Sequence, residues 1–279
     1  MSSQAVNAAI RESLGLPTLE ERKPTVPVEG HVCDFPLWSF SKKRSTVKEL
    51  HITYEDGSFF HLHAPKGMPG VNSPGYLDVL LYFGQRDLFS QDFFEMSAYS
   101  IMRHLTIDPT DGRSYQHFLR DMERNFDLSI KTDRFINPAT GRRDYTTYFR
   151  IFDTMEVAKH RKRSSRFYFN RVFLASLRAG YLKRLDFDFC LHLDRQTQPL
   201  ARFLYAHLLK RIGLDSLYIR NLIGFLRDCG LSYIADLDSY RRHVKLTETV
   251  FPALDLLKGE AIHTYELDDQ GNIFFLPKS

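Results

Sequence analysis

Five polar side chains recur at helical spacing along one stretch of the chain: Arg113, Gln116, His117, Arg120 and Arg124. On the opposite side of the same stretch Tyr115, Phe118, Leu119, Met122 and Phe126 fall at i, i+3, i+4, i+7 and i+11, which is one apolar face. A helix that recognises DNA needs both properties. One face anchors it in a core, and the other offers donors to phosphates and base edges. An ordinary surface helix mixes charge signs, whereas here Asp121 and Glu123 lie to the sides of the stripe. Residues 113–126 therefore read as a recognition helix, with Ser114 in its first turn among the groups able to reach a phosphate.

Other basic groups extend this reading. Arg134, Arg142 and Arg143 surround an Asn-Pro-Ala-Thr-Gly tip between two strand-like runs, and arginines on such a wing suit phosphates or a narrow minor groove. From residue 156 to residue 184 there are nine Lys or Arg and one acid, centred on KHRKRSSR. Within it Lys159, Arg161, Lys162 and Arg163 read as a basic linker crossing the phosphate backbone between two halves of the chain, against the plainer reading of a solvated linker. A smaller cluster is Lys42, Lys43 and Arg44. Near the C-terminus, Arg241, Arg242, Lys245 and Thr249 are the polar candidates of a second recognition helix, with Tyr240, Val244, Phe251 and Leu254 as its core side. The hairpin after it has Asp268 and Asp269 at its tip beside Glu266, so phosphates would repel it.

One enzymatic motif competes. His61-Leu62-His63 is the histidine, apolar, histidine pattern by which rolling-circle nickases hold a divalent metal on one strand face. Such nickases also need a tyrosine nucleophile, in many of them three residues before a lysine, and none of the 14 tyrosines has lysine there. There is no GxxxxGK[ST] loop, GxSxG elbow or HExxH. Cys33, Cys190 and Cys229 have neither zinc nor disulfide-framework spacing, which fits a reducing compartment. The expectation is a protein with no catalytic residue, cofactor or metal.

These groups need a scaffold. The 279 residues suggest two domains, and 43% hydrophobic with 26% charged residues is a globular balance that excludes wholesale disorder. Neither an apolar run long enough for a membrane span nor a signal peptide is visible, so a cytoplasmic protein is expected. A net charge of +4 hints at a polyanionic partner. Residues 1–34 read as a flexible arm, 35–157 as a first domain, and 158–279 as the linker and a second domain. The first domain begins with a hairpin around Asp56-Gly57, then a helix from Tyr76, a short strand at 93–96, a helix capped by Ser97, the 113–126 helix, and strands at 128–132 and 145–152. In the second, the alternation Leu185, Phe187, Phe189, Leu191, Leu193 reads as a strand over 184–193. Helices follow over 197–212, 217–229 and from 238 to about 258, kinked at Pro252, with a final hairpin around DDQG. The order is α+β and, in each half, that of a winged helix-turn-helix.

The chain resembles the replication initiator protein A family of bacterial plasmids. The segments that carry the resemblance are FPLWSFSKK (35–43), HLHAPKGMPGVNSPGYLDVLLY (61–82), GRSYQHFLRDMERNFDLSIKT (112–132) and RFLYAHLLKRIGL (202–214). The resemblance implies two tandem winged-helix domains and binding to repeated double-stranded sites, iterons, at a plasmid origin. It implies opening of the duplex for host replication proteins, a helicase or a DnaA-type initiator, and a homodimer through the N-terminal domain. In it residues 113–124 match the first recognition helix and 238–258 the second, while His61-Leu62-His63 falls on a plain strand. A winged-helix transcription regulator remains the other non-enzymatic reading.

Overall fold

The computed structural model describes residues 23–40, 46–88, 90–137, 140–143, 145–212 and 217–278. Lys42, Lys43 and Arg44 lie outside the described residues. Strand β1 (Thr25–Glu29) leads to the hairpin β2 (Glu49–Thr53) and β3 (Phe59–His63), turned at Gly57, whose φ of 77° suits a residue without Cβ. Next come α1 (Ser73–Leu88), β4 (Phe93–Ser97), α2 (Ala98–His104) and α3 (Gly112–Asp127). Strands β5 (Ser129–Thr132) and β6 (Thr147–Phe149) join β2 and β3 in an antiparallel sheet of order β2-β3-β5-β6. A further hairpin, β7 (Phe152–Glu156) and β8 (Ser164–Phe169), pairs with β4 in the order β4-β8-β7.

Helix α4 (Arg171–Arg178), β9 (Leu182–Asp186) and α5 (Phe187–Arg195) lead to α6 (Pro199–Arg211). From there the path of the first half is repeated: β10 (Tyr218–Asn221), α7 (Leu222–Asp228), the single turn α8 (Ser232–Ala235), and α9 (Ser239–Lys245). Helix α9 continues through a π turn, Leu246–Val250, into α10 (Phe251–Asp255), and then β11 (Ile262–Leu267) and β12 (Asn272–Pro277) close a sheet of order β10-β12-β11. In both halves a strand and a later hairpin, separated by helices, form a three-stranded sheet in which the hairpin's last strand lies in the middle, and the first half also inserts β5 and β6 before its hairpin. The mixed helix and sheet is the expected α+β class.

Several expectations are corrected. Part of the expected arm is core: β1 pairs antiparallel with β9, and Val26, Val28, Val32 and Cys33 are buried. Buried Glu29 accepts from Ser176 Oγ at 2.6 Å and from His31 Nδ1. His31 Nε2 accepts from the Ile136 amide, so Nδ1 carries the proton. Residues 164–169 belong to the first half's sheet through β4, so the first unit runs past 157. The alternation over 184–193 is a strand only to Asp186, whose side chain then accepts from Phe189 N and starts α5. Leu191 and Cys190 are buried on that helix while Phe189 is only half-buried. Tyr218–Asn221 is a strand rather than the start of a helix, because Asn221 caps α7 through Ile223 N. The bend expected at Pro252 takes the form of the π turn, where Phe251 N bonds Leu246 O and the register shift accommodates a residue with no N–H.

Ion pairs join the halves, one of them fully buried. Arg202 of α6 donates two-pronged to Asp78 of α1 at 2.7 and 2.8 Å, both side chains at most 4% exposed. Asp34 receives Lys210 and Arg211, the latter at 3.1 Å. Burial, the largest single influence, pushes its carboxyl up, and the charges of Lys210 and Arg211 together outweigh it and hold the carboxyl below the usual range.

Candidate nucleic-acid interface

Asp111 starts α3. Its carboxylate accepts from Arg113 N at 3.1 Å, Ser114 N at 2.9 Å and Ser114 Oγ at 2.6 Å. The Ser114 hydroxyl bond holds that carboxyl below its ordinary range. Phe118 and Met122 are buried, and Tyr76 of α1 meets Phe118 edge-on at 5.0 Å, which fixes the helix on the core. The opposite side leaves Arg113, Gln116, His117 and Arg120 exposed. Arg120 donates to Gln116 O at 3.3 Å and to His117 Nδ1 at 3.2 Å, so that ring nitrogen accepts. Arg124 departs from the expected stripe. It is 7% exposed, because the loop after β3 crosses the C-terminal turns of α3. Its guanidinium lies 3.5 Å from Met68 O in that loop and 3.8 Å from Asp121, one turn earlier on α3.

The basic run 159–163 is the tip of the β7–β8 hairpin, rather than a linker. The tip folds back on the start of α3. Arg161 donates to Pro109 O at 2.6 Å and Thr110 O at 2.9 Å, and lies 5.2 Å from the Tyr115 ring centre. Its own carbonyl accepts from Tyr99 N at 3.0 Å. Lys162 sits over the Tyr99 ring. Tyr99, Tyr115, Lys159 and His160 are among the residues lining a cavity of about 580 Å³ between tip and helix. Arg161 thus fixes the tip, while Lys159, Lys162 and Arg163 are exposed. The tip and α3 form one basic surface from segments some forty residues apart in the chain.

The arginines first read as a wing are placed elsewhere. Arg134, 10% exposed, stacks 3.8 Å from the Tyr54 ring centre and donates to Ser58 Oγ at 2.9 Å. It holds the loop of the four-stranded sheet to the β2–β3 turn and is not free to meet DNA. Arg143 lies 3.7 Å from Asp56, and Arg142 is exposed.

In the second half Asp238 caps α9 through Arg241 N at 2.9 Å. Arg241 is exposed and Lys245 is exposed but paired to Glu248 at 2.7 Å. Arg242 is half-buried on Leu237 O, and Thr249 is half-buried in the π turn. Tyr240, read as core, is 77% exposed, because Ser239–Lys245 has no buried residue and the anchoring begins at Leu246. The acidic tip has a local explanation. Asp268 accepts from Asn272 N at 2.7 Å and Gln270 N at 2.9 Å, bonds that keep its carboxyl below the usual range and close the turn.

His61 faces His51 on one side and Lys131 on the other, and His63 faces Glu49 and Ser129. Among the described residues no three His, Cys, Asp or Glu stand together as a metal site. Nor is any of their helices long and apolar enough to cross a membrane.

No protein-family model matches the chain, and no curated protein matches it in sequence. Among solved structures, a crystal structure of domains 2 and 3 of RctB is similar in fold, with a TM-score of 0.56 at 10% identity, covering 90% of this chain and 98% of that one. A second crystal structure of those domains has a TM-score of 0.49 at 10% identity, covering 87% and 95%. The Pi initiator protein in complex with iteron DNA has a TM-score of 0.47 at 12% identity, covering 84% and 100%.

Proposed function

We propose that the protein is a plasmid replication initiator. It binds repeated double-stranded DNA sites at an origin through two winged-helix units, promotes opening of the duplex and brings in host replication proteins. The observation that carries this reading is the joining of the exposed α3 face, Arg113, Gln116, His117 and Arg120, to the basic hairpin tip through Arg161. A recognition helix supplies donors to base edges, and a cationic hairpin beside it reaches the flanking backbone. The same element order in the second half supplies α9, with Arg241, Arg242, Lys245 and Tyr240, as a second reading helix. In this proposal the protein needs no cofactor and cuts no strand. Its place is the cytoplasm, on plasmid DNA, and its N-terminal unit serves a homodimer.

The test is a nuclease footprint on DNA flanking the coding sequence. Protection of several direct repeats is expected. A single protected palindrome would favour a transcription regulator, and a covalent tyrosine–DNA adduct with nicked plasmid would favour the nickase.

A further inference from the structure

We propose that the outer face of the β2-β3-β5-β6 sheet is a second nucleic-acid site, one that takes single-stranded DNA. One side of this sheet is core: Ile52, Phe60, Leu62, Ile130 and Phe149 are buried. The register places His51, His61, Lys131 and Tyr148 in one row across all four strands of the other side. Phe59 lies in the next row. The rings are arranged to stack. His51 and Phe59 are 6.2 Å apart with planes within 7°, while His51 and His61 are 5.6 Å apart and tilted by 44°. Lys131 Nζ stands between Phe59 and Tyr148, at 5.7 and 5.3 Å from their centres. Tyr148 is 69% exposed, an unusual place for a large ring that does no packing in the core.

Beside this row is a cleft of about 680 Å³ lined by His61, His63, Lys131, Tyr148, Arg150 and Asp153, among others. Lys131 lies over two of the rings and Arg150 is exposed, while the acid of the cleft, Asp153, accepts from Asn170 at 2.6 Å. Two cations beside a row of rings, of which His51 and Tyr148 are exposed and His61 and Phe59 half-buried, match a ligand with negative charge and flat bases together. A single strand has both, and a duplex hides its base faces. This assignment accounts for His61-Leu62-His63 without a metal. It deepens the proposed function only in that a protein which opens a duplex has a single strand to hold, and its geometry is independent of α3.

The experiment is fluorescence anisotropy of the full chain with labelled oligo-dT of about 16 nucleotides, the upper end of single-strand site sizes. The same proteins are titrated with duplex DNA from the footprinted region. Tyr148→Ala should weaken oligo-dT binding by about 5- to 150-fold, the loss of one stacked base. Lys131→Gln should make the slope of log K against log salt shallower by about 0.7 on oligo-dT. Both should leave duplex binding unchanged, which also shows that the variants are folded. Arg113→Ala with Arg120→Ala should do the reverse. The proposal is overturned if wild type does not bind oligo-dT, or if both sheet variants bind it like wild type. The second result with a loss of dimer in sedimentation would assign the face to a second copy of the chain. Tighter binding of oligo-U than of oligo-dT would overturn it in favour of RNA. Failure of duplex binding in every protein, with oligo-dT binding intact and sensitive to Tyr148, would remove the proposed function and leave this site standing.

Discussion

Replacing Asp194 by Asn should stabilise the protein at neutral and higher pH, with the gain shrinking as pH falls. Asp194 lies in α5, 4% exposed, and neither carboxylate oxygen has a hydrogen-bond partner among the described residues. The guanidinium that would serve it, Arg202, is committed in two-pronged fashion to Asp78. Burial pushes the Asp194 carboxyl well up, and the charge of Asp78 pushes it further, against the smaller pull of Arg202. The folded state therefore holds this proton more tightly than the unfolded chain, whose aspartate titrates near 3.9. A raised value contributes stability that is fully present below the unfolded value and is lost as pH rises through the folded one. Over that window wild type loses about 1.4 kcal/mol per pH unit from this group. Asn has no proton to lose, so the variant gains on wild type at that rate. A domain of this size shifts its melting temperature by about 2–4 °C per kcal/mol. The assay is urea unfolding of both proteins in a series from about pH 5 to about pH 8. Parallel stability profiles would show that Asp194 is ionised and served in the fold, and would refute the reasoning.

Asp111→Ala should lower both the thermal midpoint and duplex affinity, while Asp111→Asn, which still accepts from the first-turn amides, should retain most of both. Gly230→Ala should cost more than about 1 kcal/mol by chemical unfolding, since its φ is 72° and a Cβ there would stand 2.7 Å from Pro36 Cγ. Changing Lys159, Lys162 and Arg163 to Gln should weaken specific and random duplexes alike and make the salt slope shallower by about 0.9 for each phosphate no longer neutralised. Weakening confined to the specific site would mean that the hairpin tip reads sequence.

Local signals in the sequence were strong where a cap, a turn glycine or a periodicity marked the element. The 3.6-residue repeat alone gave α3, Ser97 gave α2, Asp56-Gly57 gave the first hairpin, and the DDQG turn gave the last. They failed where partners are distant. Nothing near residue 25 announces pairing with residue 186, so a strand looked like an arm. KHRKRSSR looked like a linker because β8 pairs with β4, some seventy positions earlier. An alternation of five apolar residues over nine positions cannot separate a strand from a helix start, and Asp186 decided for the helix. Arg124 and Arg134 have the right charge at the right spacing, but a loop covers one and Tyr54 stacks on the other. Tyr148 and Lys131 carried no motif at all, because their alignment exists only across strands.

The central claim is that the exposed face of α3 reads duplex DNA, and the most direct measurement is the affinity of Arg113→Ala, Gln116→Ala and Arg120→Ala proteins for the footprinted repeat and for a random duplex. Arg120→Ala should weaken the specific site by about 1–3 kcal/mol if it reads a base, and the three together should bring specific binding down to the level of random DNA. Unchanged affinity and unchanged preference for the repeat in the folded triple variant would contradict the account.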